Sequence, residues 1–253
     1  MQSTVTTAFK EKNIEMIAVV DVSGSMHGTP MEVAVALGIL LSHANEPGDA
    51  TVSPYYRTVL PFDDTCVPVK LDAGCAEGDT RWDKPAALKD QLLHIDWGGS
   101  TNLEAVFAQI ATLERNRFYD CMESEDAPVT KKRLVIVVFS DMDFDSAFDN
   151  SAEGEAGAEG LLKQEVLQRM WNQAGLSEPL NPLPLIVFWN VRAKAPTPFP
   201  AGADAKGVVL MAGDSDGVFE ALLTADFTNV TPRAFMKHAL EKIPFPAAVV
   251  ALD

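Results

Sequence analysis

Asp21-Val22-Ser23-Gly24-Ser25-Met26 stands directly after the apolar run Met16–Val20 and shortly before Thr29-Pro30-Met31-Glu32, where a helix can start. The run is rich in Val and Ile and does not alternate with polar residues, the pattern of a strand covered on both faces. Thr29 offers an N-cap hydroxyl, Pro30 a first helical residue and Glu32 the return contact of a capping box, so a helix is predicted over Thr29–Ala44. Its residues Val33–Leu37 and Ile39–Leu41 are apolar nearly all round, as in a helix packed deeply on a sheet. Strand, polar turn and helix open an α/β unit, and in such sheets ligands bind beyond the carboxyl ends of the strands. Asp21, Ser23 and Ser25 alternate, so an extended turn can direct their oxygens to one side.

Outward from this stretch the pattern repeats. Leu134–Phe139, Leu185–Trp189 and Val208–Met211 read as further doubly covered strands, which implies a parallel sheet. Thr101-Asn102-Leu103-Glu104 has capping-box form and precedes Leu103, Val106, Phe107, Ile110 and Leu113 at helical spacing. Helices are also predicted over Gly160–Ala174 and from Thr231-Pro232 onward. Thr51–Leu60 and Val67–Leu71 read as a strand pair that includes an antiparallel edge. Residues 145–160, acidic and rich in Gly and Ala, read as a solvated mobile loop, and Ala195–Pro200 as a proline-stiffened connection. The expected fold class is α/β: a mainly parallel central sheet with an antiparallel edge strand and helices on both faces. One domain is expected over residues 1–253, its core at about 14–223 and its C-terminal helix at about 232–242.

Composition narrows the function classes. The 253 residues are 47% hydrophobic and 22% charged, the balance of a globular chain with a sizeable core. Twenty basic against thirty-six acidic side chains give a formal net charge of −16, which repels phosphate backbones and anionic membranes, so direct nucleic-acid binding is not expected. The longest apolar run, Val33–Leu41, is too short to span a bilayer. The polar start and the odd set Cys66, Cys75 and Cys121, without Cys-x-x-Cys spacing, fit a cytoplasmic protein with free thiols. His27, His43, His94 and His238 have no metal-ligand spacing.

Short oxygen side chains gather after the predicted strands: Asp21, Ser23 and Ser25 after the first, Ser140-Asp141-Met142-Asp143 after Leu134–Phe139, and Ser100-Thr101 before the helix at Asn102. Two carboxylates and three hydroxyls suit a hard cation such as Mg²⁺, which takes six oxygens at about 2.0–2.1 Å and usually keeps several waters. Thr101 can equally cap its helix, and Ser23 and Ser25 can be ordinary turn residues.

Together these segments resemble the metal-ion-dependent adhesion site of von Willebrand factor type A (vWA) domains. That family's Asp-x-Ser-x-Ser pattern stands here as Asp21, Ser23 and Ser25, its second-loop threonine as Thr101, and its third-loop aspartate as Asp141. Trp97-Gly-Gly-Ser-Thr-Asn102, Phe139-Ser-Asp-Met-Asp-Phe-Asp145 and Phe188-Trp-Asn190 are similar to an uncharacterised intracellular branch related to the vWA domains of TROVE/Ro-type ribonucleoproteins. The resemblance implies a Rossmann-like vWA fold. It further implies a non-enzymatic protein-interaction module in which Mg²⁺, or Mn²⁺ or Ca²⁺, held by Asp21, Ser23, Ser25, Thr101 and Asp141, completes its coordination with an Asp or Glu of a protein partner. Asp143, His27 and Ser100 are further candidates for contacting the ligand or its supports. The sequence departs from the family where many members have Thr-Asp-Gly: here the third loop is Ser140-Asp141-Met142, followed by Asp143. A ribonucleoprotein-associated role and a metal-dependent hydrolase are the alternatives. The first has only the short basic run Lys131-Lys132-Arg133 behind direct RNA contact, and the second lacks a nucleophile and a phosphate-binding glycine loop.

Overall fold

Strands rich in β-branched residues line up edge to edge when both of their faces can be covered, and the four apolar runs do so. In chain order the elements are β1 (Ile14–Val20), a 3-10 turn (Gly24–Met26), α1 (Thr29–Ala44), β2 (Thr58–Pro61), β3 (Val69–Lys70), α2 (Leu103–Glu123) and β4 (Arg133–Ser140), followed by α3 (Gln164–Gln173), β5 (Leu185–Asn190), β6 (Val208–Ala212), α4 (Asp216–Thr224) and α5 (Pro232–Glu241). They are taken from a computed structural model that describes residues 11–45, 53–62, 65–71, 102–123, 132–143, 164–177, 181–192, 201–213, 216–224 and 231–241, with Thr7 and Leu92. The expected loops at 145–160 and 195–200, Trp97, Ser100 and Thr101 lie outside the described residues.

The sheet has six strands in the order β3-β2-β1-β4-β5-β6. All neighbours run parallel except β2 and β3, so the expected antiparallel edge is present. This is the doubly wound, Rossmann-like arrangement, in which chain order reverses between the two central strands. Side chains alternate between two apolar layers: Met16, Ala18 and Val20 of β1, with Val135, Val137 and Phe139 of β4, join α1, Phe219 of α4 and Phe235 of α5. Ile17, Val19, Leu134, Ile136 and Val138 point the other way, against Phe107 of α2 and Trp171 of α3. Helices therefore cover both faces.

α1 approaches the sheet closely because Gly38 faces β1: a Cβ there would lie 2.6 Å from Val20 Cγ2. Its start differs from expectation. Gly28, at φ +92°, precedes the helix, the Glu32 N–H donates to the Gly28 carbonyl (3.2 Å), and no side chain caps the first turn. Thr29 is thus the first helical residue rather than the cap. A positive φ reverses the chain out of the preceding turn, and glycine adopts it without steric cost. Two strands are shorter than expected. Residues 53–57 form turns closed by Tyr56 N–H to Ser53 O and Thr58 N–H to Tyr55 O, so β2 begins only at Thr58. α4 was not among the helices expected from the sequence.

Two buried polar contacts hold β1. Its register with β2 covers only Ala18–Val20, which leaves the β2-side backbone at Met16 without a strand partner. Asn45, just past α1, fills that place: its Oδ1 accepts from Met16 N–H (3.1 Å) and its Nδ2 donates to Met16 O (2.5 Å). On the opposite face the buried Glu15 meets Arg117 of α2 (2.6 Å), which also reaches the buried Glu114 (3.4 Å). Burial pulls the Arg117 pKa down, but Glu15 and Glu114 outweigh it and hold the guanidinium above its ordinary range. Burial, and then the same two carboxylates, push the nearby Tyr55 phenol well up, so it stays protonated.

Two stability changes are expected in chemical denaturation. Asn45→Ala leaves two buried backbone groups unpaired and costs about 2–3 kcal/mol; a loss below about 0.5 kcal/mol contradicts the pairing. Arg117→Met strands two buried carboxylates and costs about 3 kcal/mol or more, most of it recovered when Glu15→Gln and Glu114→Gln are added.

Candidate functional site

The reversal of strand order puts the ends of β1 and β4 side by side, with Val20 opposite Phe139. One further backbone bond, Asp21 N–H to Phe139 O (2.9 Å), carries the pairing into the loops. Asp21 and Ser140-Asp141 therefore leave the sheet as neighbours. Asp21 is fully buried, its Oδ1 accepting from Ser23 N–H (2.9 Å) and its Oδ2 from Ser140 Oγ (2.5 Å). Ser140 Oγ also accepts from Met142 N–H (2.9 Å), so one hydroxyl braces both loops.

The 3-10 turn at Gly24–Met26, closed by Met26 N–H to Ser23 O, folds the first loop back. It brings the Ser23 and Ser25 hydroxyls to 3.0 Å of each other. In the third loop, Asp143 N–H donates to Asp141 Oδ1 (3.2 Å). Met142 between them is buried and sits at φ +67°, a left-handed conformation that suits glycine and strains most side chains. Its side chain packs in the layer with Leu103 and Phe107, and this burial offsets the strain.

Of the residues singled out in the sequence, Asp21, Ser23, Ser25 and Asp141 come together. Asp143 contributes its backbone N–H while the residue is exposed, and His27 is exposed on the turn. At the start of α2, Asn102 Oδ1 accepts from Ala105 N–H (3.0 Å); Thr101, the expected cap, lies outside the described residues.

Electrostatically the site is short of positive charge. Burial, above all, raises the Asp21 pKa; the Ser140 and Ser23 hydrogen bonds pull it down, and the Asp141 charge adds to the rise. No basic side chain pairs with Asp21 among the described residues. Because the folded state holds this proton more tightly than the unfolded chain, stability is lost as pH rises through the raised pKa. No group of three or more His, Cys, Asp or Glu side chains that could hold a metal ion occurs among the described residues; the side chains gathered here are two carboxylates and hydroxyls, all hard oxygens.

Residues 15–242 match the family model of DUF7788, a domain of unknown function. The chain belongs to this family. It is also 30% identical over 224 residues to the uncharacterized protein L728 of Acanthamoeba polyphaga mimivirus. That match covers 88% of this chain and 32% of the viral protein, so the chain spans only a minor part of that relative's length.

The site of this DUF7788 chain includes three residues that sequence reasoning did not assign to it. Ser140 lay within the quoted motif but was not read as a link between loops. Asn190 ends β5 and Arg192 follows it: Asn190 Oδ1 accepts from Arg192 N–H (2.9 Å), and Arg192 Nη1 donates to Ser25 O (3.0 Å) and Asp141 Oδ2 (3.1 Å). The available signal was position, since Arg192 is the first basic residue beyond the carboxyl end of a strand next to β4. No helix among the described residues of the DUF7788 chain is long and apolar enough to cross a membrane.

Asp21→Asn removes a buried charge and keeps a donor–acceptor pair for Ser140 and Ser23. In EDTA at neutral pH it is expected to melt at or above the wild-type temperature by scanning calorimetry. A fall of more than about 3 °C, roughly 1 kcal/mol for a chain of this size, refutes the assignment of Asp21 as a cost to the cation-free fold.

Proposed function

We propose that this chain is a divalent-cation-dependent protein-interaction module of the vWA type, in which Mg²⁺, or Mn²⁺ or Ca²⁺, accepts an Asp or Glu carboxylate from a protein partner. The observation that carries this reading is the buried Asp21, which lacks a basic partner among the described residues and lies beside the paired Ser23 and Ser25 hydroxyls and the Asp141 loop. A buried carboxylate so placed is stabilised by an added cation. Thr101, outside the described residues, completes the proposed ligand set on the strength of the motif resemblance.

In this reading Asp21 anchors the ion by charge, Ser23 and Ser25 supply neutral oxygens, and Asp141 acts directly or through water. Ser140 and the Ser23 amide orient Asp21, while the Asp143 amide orients Asp141. Neutral hydroxyls leave the bound ion much of its positive charge, which is the chemistry that attracts an external carboxylate. Specificity then comes from whatever surrounds the ion on the partner.

Calorimetric titration of EDTA-stripped protein with MgCl₂ and MnCl₂ tests the reading. Saturable binding is expected in the wild type, weaker binding in Ser23→Ala/Ser25→Ala, and none in Asp21→Asn. Undiminished binding by a folded Asp21→Asn variant would place the ion elsewhere and overturn the assignment.

A further inference from the structure

Asp141 is nearly inaccessible, and Arg192 is its basic partner among the described residues. The two differ sharply in exposure: the Arg192 side chain is 47% accessible and the Asp141 side chain 3%. One nitrogen, Nη1, holds both Asp141 Oδ2 and the Ser25 carbonyl, so the guanidinium ties the first loop to the third. Its backbone is anchored separately, through Arg192 N–H to Asn190 Oδ1 and Val191 N–H to Ser140 O. The side chain can therefore leave without unfastening the loop that carries it.

We propose that Arg192 is the built-in counter-cation of this site and competes with the divalent ion for Asp141. The inference rests on the cation-site reading above. Without metal, the guanidinium neutralises a carboxylate that burial would otherwise penalise and holds the loops in register. A divalent ion drawn to Asp141 meets that fixed positive charge at close range, so binding requires the guanidinium to move toward water. A half-exposed arginine makes that move at little cost, whereas the buried carboxylate cannot. Arg192 thereby sets the cation concentration at which the site fills, and cation binding loosens the tie between Ser25 and Asp141.

The test uses Mn²⁺ alone, by calorimetry, on EDTA-stripped wild type, Arg192→Gln and Arg192→Lys. Arg192→Gln is expected to bind Mn²⁺ about tenfold or more tightly than wild type and to melt lower in EDTA; Arg192→Lys, which keeps the charge, stays within about threefold. A supporting role for Arg192 predicts the opposite, a loss of affinity on Arg192→Gln. Equal or weaker Mn²⁺ binding by that variant, beside a wild type that binds, overturns the competition and leaves the cation site standing. Equal tightening by Arg192→Lys also overturns it. Absence of binding in wild type and variant alike overturns both readings. Should Arg192→Gln fail to fold, the wild type decides the matter: the Arg192 side-chain Nε–H resonance is expected to shift as Mg²⁺ saturates the site, and an unmoved resonance at saturation overturns the proposal.

Discussion

The parallel pairing of β1 with β4 is the contact on which the rest of the molecule depends. Their register runs unbroken from Ile14 opposite Arg133 to Val20 opposite Phe139, and Asp21 N–H extends it by one bond to Phe139 O. Because the chain builds outward from β1 on one side and from β4 on the other, the loops that follow these two strands meet where strand order reverses. A shift of register by one residue would send Asp21 and Ser140 to different heights and reverse which layer each β4 side chain joins. The two apolar layers prevent that shift, since Met16, Val20, Val137 and Phe139 are matched to one set of helices and Ile17, Val19, Ile136 and Val138 to the other.

Buried charge shapes both ends of the sheet, and the two ends resolve it differently. Toward the start of β1, Glu15 and Glu114 share Arg117, so each of these buried carboxylates meets a cation supplied by the chain. Beyond the end of β1, Asp21 is met among the described residues by neutral donors of Ser23 and Ser140, while Asp141 is served by a half-exposed arginine. Hydrogen bonds from neutral donors stabilise an ionised carboxylate less than a charged partner does, so the second end keeps an unmet demand for positive charge. That asymmetry supports the proposed cation site and the proposed part of Arg192 in it.

Much of the fold was legible because strands covered on both faces and an all-round apolar helix leave strong local patterns; Met16–Val20, Leu134–Phe139, Leu185–Trp189 and Val208–Met211 all fall within observed strands. Thr29-Pro30-Met31-Glu32 satisfies a capping box in composition, but the positive-φ turn before α1 hands the cap position to Gly28. At the start of α2 two adjacent residues, Thr101 and Asn102, are both good capping types, and the structure shows Asn102 in that role. Asn45 was not legible because its role depends on where β2 begins.

The sequence by itself determined the α/β class, the central strands and the candidacy of Asp21, Ser23, Ser25 and Asp141, because hydrophobic periodicity and closely spaced oxygen side chains are local properties of the chain. Only the tertiary structure decided that Ser140 binds Asp21 across 119 positions and that Arg192 reaches back 167 positions to Ser25. It also decided that the Asp21 carboxylate is buried without a basic partner among the described residues. These are properties of strand order and register, and strand order is set by which elements bury one another's apolar faces, a choice made over the whole chain.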